Sequence, residues 1–253
     1  MNIGLIAIQI VALFMALTFH EFAHGWVARR LGDRTAESQG RLTLNPKDHI
    51  DPFGTIMVPA MLILMHSPVV FGWAKPVPIN PYNFRNPRKG MMWSALGGPM
   101  INLLLAGLLA VAFKGMLFAG ITIKPLLIFL IIAIQLNVFL AVFNLIPIPP
   151  LDGGRVMVGL LPPAQAAALS RIEPYGFLIV IALMYFNVLD RFLFYPIAVI
   201  LRFLGITYKL SQSNNLECWS NDVLAYELRY FGPLTTYYRP TACLHTFLNS
   251  VNS

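Results

Sequence analysis

The sequence predicts an all-α polytopic membrane protein: a core of three transmembrane helices, a re-entrant or interfacial segment, a short β-hairpin near residues 38–45, and one or two further C-terminal membrane segments. Three observations predict it. Of 253 residues, 57% are hydrophobic and 11% charged, with a mean hydropathy of +0.66, whereas soluble domains carry roughly 25% charged residues. Three apolar runs are long enough to cross a hydrocarbon core about 30 Å thick, which takes about 20 residues. Basic residues crowd the loops on one side of those runs.

The first run, residues 3–19, extends through Val27 and is closed by Arg29 and Arg30. It lacks a basic lead-in and leads into His20 and Glu21 rather than small residues, so it reads as a span and not as a secretory signal. The stretch 52–65 is short for a crossing and carries Pro52 and Pro59, which fits a segment that dips into the bilayer or lies on it. If it does not cross, Arg29, Arg30, Arg34, Arg41, Lys47, Lys75, Arg85, Arg88 and Lys89 fall on one side. The positive-inside tendency makes that side cytoplasmic and puts the amino terminus outside.

Between Gly40 and Asn45, the alternation of Arg41, Leu42, Thr43 and Leu44 predicts the short hairpin, whose edge could accept an extended peptide. Residues 91–113 and 126–146 supply the second and third crossings, with Lys114 and Lys124 in the loop between them. The third crossing returns the chain to the side where the first one ends. Residues 175–204 are interrupted by Asp190, Arg191 and Pro196. They read as one crossing plus a re-entrant piece or as two short spans, and four crossings in all are expected. Residues 1–206 thus form one membrane domain. From residue 207 the composition turns polar without periodicity, so 207–253 reads as a cytoplasmic appendage, a disordered end or foreign sequence, with no function assigned.

The formal net charge of +7 does not signal nucleic acid, because the 18 Lys and Arg are spread along the chain rather than interleaved with aromatics. Both cysteines, Cys218 and Cys243, lie in the tail, so the membrane part has neither a disulfide framework nor a thiolate metal site.

His20, Glu21, Phe22, Ala23 and His24 spell HExxH on the first predicted helix. Residues four apart share a helical face, so both imidazoles can reach one metal ion while Glu21, one step round, can touch water beside it. Chance produces this motif in roughly one of some hundreds of such chains. Two His and a Glu at membrane depth are costly, however, and usually face the bundle interior for a functional reason. A catalytic zinc wants three protein ligands and one open position. Between Asp51 and Glu173 the only acidic residue is Asp152, in the run Asn144, Leu145, Ile146, Pro147, Ile148, Pro149, Pro150, Leu151, Asp152, Gly153, Gly154. Its prolines stop a regular helix and its glycines permit unusual angles. A plain turn residue is the alternative for Asp152, and the topology that brings this turn to the side of His24 argues against it.

HExxH in one membrane helix with Leu151, Asp152 and Gly153 downstream resembles the site-2 protease family of intramembrane zinc metalloproteases (peptidase M50), in a compact form with no recognisable PDZ or CBS domain. The resemblance spans about residues 13–155. It implies one Zn2+ per chain held by His20, His24 and Asp152, with Glu21 as catalytic base. The segment Gly97, Gly98, Pro99, Met100, Ile101, Asn102 resembles the family's glycine-rich central helix, which implies substrate positioning by Asn102, Gly97 and Gly98. The expected activity is endopeptidase cleavage of transmembrane segments of membrane-protein substrates, as in regulated intramembrane proteolysis. The expected place is the bacterial cytoplasmic membrane, with the site toward the cytoplasm.

Other polar residues have plainer readings. Asn102, Gly97 and Gly98 can serve helix packing alone. His49 reads as a surface residue, a support for a ligand or part of an entry gate, and His66 as interfacial; Asn137 and Asn144 read as donors behind the ligands. Two other classes of function remain: a non-proteolytic zinc-binding membrane protein such as a carrier, and an inactive scaffold. The second and third crossings hold no acidic residue, which counts against a transport path. A structural metal site has no need of Glu21.

Overall fold

The computed structural model describes residues 3–65, 73–186 and 188–206. Three helices among them are long and apolar enough to cross a membrane: α1 (Ile3–Arg30), the helix Pro87–Phe118 and the helix Lys124–Asn144. Each meets the bilayer's requirement that backbone groups be satisfied within the segment. Between α1 and the second span lie a short helix α2 (Thr35–Ser38), a wide turn (Pro52–Met57) continuing into α3 (Val58–Leu64), and an extended strip that reaches the turn Pro81–Asn83. We name the two long helices α4 (Pro87–Phe118) and α5 (Lys124–Asn144). At 7 residues α3 is far too short to cross. The helix α4 begins where the Asn86 side chain accepts the Lys89 N–H at 3.1 Å and Pro87 takes the first helical position, both of which favour a helix start.

The helices α1 and α4 run antiparallel. Ala12, Ala16, Ala23 and Ala28 on α1 and Ala95 and Ala106 on α4 are buried, and such small side chains let helix backbones approach closely in lipid. The helix α4 also packs on α5, through Ala106, Ala110 and Phe113 against Leu127, Leu130, Ile131, Ile134 and Val138, and α1 meets α5 where Ala12 lies with Ile132 and Ala133. After α5 come α6 (Asp152–Leu160), α7 (Pro163–Ser170), α8 (Glu173–Tyr185) and α9 (Val188–Phe203), and Leu201 of α9 joins the same core. The pair α7 and α8 is bent by 67°, either a broken span, which would make a fourth crossing, or a re-entrant loop. His66 and the tail 207–253 lie outside the described residues.

The hairpin expected near 38–45 is absent: no strand occurs among the described residues. Its backbone groups are satisfied another way. Gly40, at φ +65°, ends α2 by turning back, and the Arg41 N–H then donates to the Ala36 carbonyl at 2.8 Å. Next, the His49 Nε2–H donates to the Thr43 carbonyl at 2.9 Å, and Thr43 Oγ1 accepts the Asn45 N–H at 3.1 Å. With side chains taking these roles, the segment needs no partner strand.

Asp33 ties the end of α1 to the strip ahead of α4. It is 1% exposed, and its carboxylate accepts from the Thr35 N–H at 3.0 Å, the Asn80 N–H at 2.7 Å, Asn83 Nδ2 at 2.7 Å and the Thr35 hydroxyl. Burial pushes its pKa up, but the hydrogen bonds from Thr35, Asn83 and Asn80 outweigh burial and hold it below the ordinary carboxylate range. Asp33→Ala is therefore expected to destabilise the protein by about 3 kcal/mol, since several donors lose a charged acceptor. A depressed carboxylate contributes fully above its unfolded value of about 3.9, and the contribution is lost as pH falls through the folded value. Melting in detergent should thus show a gap between wild type and Asp33→Ala that is full at pH 7 and closes only below pH about 4; a gap independent of pH would rule this account out.

Candidate metal centre

The HExxH turn falls within α1, about two-thirds of the way along it. His20 and His24 face the same side, their rings at 90° with centroids 4.5 Å apart. Asp152, 132 residues beyond His20, is the first residue of α6. Its position follows from the chain path after α5. That helix ends at Asn144, a series of tight turns crosses the proline-rich run, and α6 starts hard against them. A Cβ on Gly153 would lie 2.3 Å from the Leu145 carbonyl oxygen, so only glycine allows this return. At its other end α6 is held by Arg88 of α4, which donates to the Gly159 carbonyl at 3.2 Å and to the Leu161 carbonyl.

The result is a triangle of ligand atoms. His20 Nε2 and His24 Nε2 are 3.0 Å apart, and Asp152 Oδ2 lies 3.1 Å from the first and 3.2 Å from the second. All three residues are buried, and they could hold one metal ion. The fit can be tested by distance. Ligands about 2.0 Å from a tetrahedral zinc are separated from one another by about 3.3 Å, so the triangle needs to open by only a few tenths of an ångström. The protonation state fits as well. His24 Nδ1 is 2.8 Å from the Ser94 carbonyl oxygen. Because a carbonyl can only accept, Nδ1 carries the hydrogen, which in the neutral ring leaves the Nε2 lone pair for a metal. Ser94 also donates its hydroxyl to the His24 carbonyl at 2.9 Å.

Glu21 points beside this triangle. One of its oxygens, Oε2, accepts the Val77 N–H at 2.9 Å. A cavity of about 190 Å³ joins the parts, lined by His20, Glu21, His24, Pro76, Val77, Ile79, Met91, Ser94, Ala95, Asn144, Pro150, Leu151, Asp152 and Arg155. A two-histidine, one-carboxylate triangle with a second carboxylate on an open cavity leaves room for water and a polarised carbonyl, the arrangement metal-assisted hydrolysis requires.

The glycine-rich turn of α4 is part of the enclosure. A Cβ on Gly98 would lie 2.5 Å from His24 Nε2 and 2.6 Å from His20 Cε1, and one on Gly97 would lie 3.0 Å from the Ala23 carbonyl oxygen. Gly98 thus admits the two rings where any side chain would displace them. Asn102, one turn further, is fully buried and lies outside the cavity lining, with no hydrogen-bond partner among the described residues. Asn144 lines the cavity and donates to the Leu140 carbonyl at 3.0 Å, whereas Asn137 donates to the Ala133 carbonyl at 2.7 Å away from the cavity. His49 is buried and braces the loop 43–49 rather than joining the triangle. Sequence reasoning missed Ser94 and Val77, which act through backbone atoms. The prolines on either side of Val77 were the one visible sign.

The sequence model of the family described as Peptidase family M50 matches residues 116–187, the part that contains Asp152. A protein of Bacillus subtilis (strain 168) named "Putative zinc metalloprotease YwhC" is 41% identical over 186 residues, which cover 72% of this chain and 81% of that protein. "Putative zinc metalloprotease Rip2" of Mycolicibacterium smegmatis is 31% identical over 232 residues, covering 86% of this chain and 83% of the relative. Its namesake in Mycobacterium tuberculosis (strain H37Rv) is 27% identical over 226 residues, covering 86% and 82%. No solved structure gives a significant match.

Proposed function

Since this chain belongs to peptidase family M50, we propose that His20, His24 and Asp152 are the metal ligands, and Glu21 the general base, of its peptide-bond hydrolysis. The protein is an integral membrane, zinc-dependent metalloendopeptidase that acts within the bilayer on membrane-protein substrates. The observation that carries the assignment is the triangle of 3.0, 3.1 and 3.2 Å edges, with Glu21 beside it on one cavity.

When bound, zinc supplies Lewis acidity, polarising the scissile carbonyl and making water acidic enough to deprotonate near pH 7. The chain's own groups do the rest. His24, fixed by the Ser94 carbonyl, would hold the ion through Nε2, and Asp152 would bring one negative charge against it. Glu21 takes the proton of the attacking water and returns it to the departing amine. Gly97, Gly98 and Asn102 are proposed as substrate-positioning residues; for Gly98 the part is indirect, since its approach to both imidazoles seats the ligand rings against which the scissile bond is laid. A helical substrate hides its peptide bonds in its own hydrogen bonds, so it must unwind to reach this site.

The proposal extends to physiology and place. Residues 1–206 form the catalytic unit, its substrates are cleaved in regulated intramembrane proteolysis, and it sits in a bacterial cytoplasmic membrane with the site toward the cytoplasm. What supports the orientation is charge: Arg29, Arg30, Arg34, Arg41 and Lys47 follow the end of α1 that carries the site. One set of vesicles tests both parts. With a transmembrane substrate co-reconstituted, cleavage should stop on zinc chelation and return with added zinc, and, with Cys218 and Cys243 replaced by Ser, a membrane-impermeant maleimide should reach Arg34→Cys in inside-out but not right-side-out vesicles. Chelator-resistant cleavage would defeat the mechanism, and labelling from the opposite face would defeat the orientation.

A further inference from the structure

The extended strip 73–80 is fastened by hydrogen bonds at Trp73, Lys75, Pro76, Val77 and Asn80. The Trp73 N–H donates to the Gly54 carbonyl at 3.1 Å, and the Thr55 hydroxyl donates to the Trp73 carbonyl at 2.7 Å. Two residues on, the Lys75 N–H donates to the His49 carbonyl at 2.9 Å, while Arg41 Nη2 donates to the carbonyls of Lys75 at 3.0 Å and Pro76 at 3.3 Å. The Asn80 N–H closes the strip onto Asp33 at 2.7 Å. At its centre the Val77 side chain rests on α1 at Gly25, where a Cβ would come within 2.9 Å of Val77 Cγ1.

Pro76 and Pro78 flank Val77. Neither carries an N–H, and both fix their own φ and restrict the residue before them. Val77 is therefore the one backbone donor of this tripeptide, on a stretch with little freedom, and that donor is spent on Glu21 Oε2 at 2.9 Å. A glutamate on a helix has three rotatable bonds and could swing away from the ligands. Here one oxygen is anchored, and the other is left for water in the cavity that Pro76, Val77 and Ile79 help to line.

We propose that the Val77 backbone N–H is the positioning donor for Glu21, delivered by the proline-bracketed strip 75–79. The proposal rests on the reading of Glu21 as general base. It makes the strip a positioning element of the active site, where its extended path alone would suggest a passive cover.

Val77→Pro removes the N–H and should lower kcat about 10²-fold, the size of effect expected from a misplaced catalytic group, with KM, zinc content and detergent Tm near wild type. Val77→Ala keeps the N–H, and its kcat should lie well above that of Val77→Pro. A second readout needs neither turnover nor metal: in 15N-valine-labelled protein, the Val77 amide resonance should lie downfield, shift upfield in Glu21→Ala and exchange faster with solvent. Wild-type or higher kcat in Val77→Pro, or a Val77 resonance unmoved by Glu21→Ala, overturns the proposal. Should Val77→Pro not fold, the resonance decides. Failure of the underlying reading looks different, because Glu21→Gln would then itself retain activity. An inactive Glu21→Gln beside an active Val77→Pro removes only the positioning donor.

Discussion

Glu21→Gln is expected to abolish cleavage of a reconstituted transmembrane substrate, lowering kcat by about 10²–10⁴-fold, the usual range for a lost general base, while the purified protein keeps its zinc. The two side chains have the same shape. The amide oxygen of Gln can still accept the Val77 N–H, which lies 2.9 Å from the carboxylate in wild type, so neither the strip nor the helix should rearrange. What changes is that an amide cannot take up a proton. Glu21 is not one of the three clustered ligand residues, which is why metal content should stay constant. The pairing of two readouts matters: loss of activity with loss of zinc would point to a disturbed site, and retention of more than a tenth of wild-type kcat would remove Glu21 from the chemistry.

The parts of this site that could be seen in the sequence are those whose signal is local. A spacing of four on a helix brings His20 and His24 to one face whatever surrounds them. The long apolar runs had only to satisfy their own backbones in lipid, so the three crossings were legible from composition and length. Asp152 was legible by scarcity, as the only carboxylate over a long stretch returning to the correct side. The hairpin near 38–45 was not there because alternation over four residues is satisfied equally by coil. The side chains of His49 and Thr43 and the Ala36 carbonyl supply the hydrogen-bond partners that a second strand would have offered. Ser94 and Val77 escaped notice for another reason. Both act on the site through backbone atoms, a carbonyl and an N–H that every non-proline residue possesses, and only the three-dimensional path tells which of them meets His24 or Glu21.

Removing any one of the three ligands should empty the site. His20→Ala, His24→Ala and Asp152→Ala are each expected to lower zinc affinity by more than about 10²-fold, since changes to mere supporting partners of a ligand already cost 10–100-fold. Metal analysis of purified protein should fall from about one zinc per chain toward none. Of the three, Asp152 is the decisive case. The histidines share one helix and would lie close in any fold that keeps α1 intact, but Asp152 reaches them only if α4 and α5 bring the chain back and α6 starts against the proline turn. Arg88 secures the far end of that short helix from α4. The carboxylate is also the only anionic member of the triangle, so Asp152→Asn, which keeps a ligand oxygen without its charge, should bind zinc more weakly than wild type and more tightly than Asp152→Ala. If Asp152→Ala instead holds zinc at wild-type affinity while His20→Ala and His24→Ala lose it, the third ligand lies elsewhere and the closure of α6 onto α1 serves packing alone.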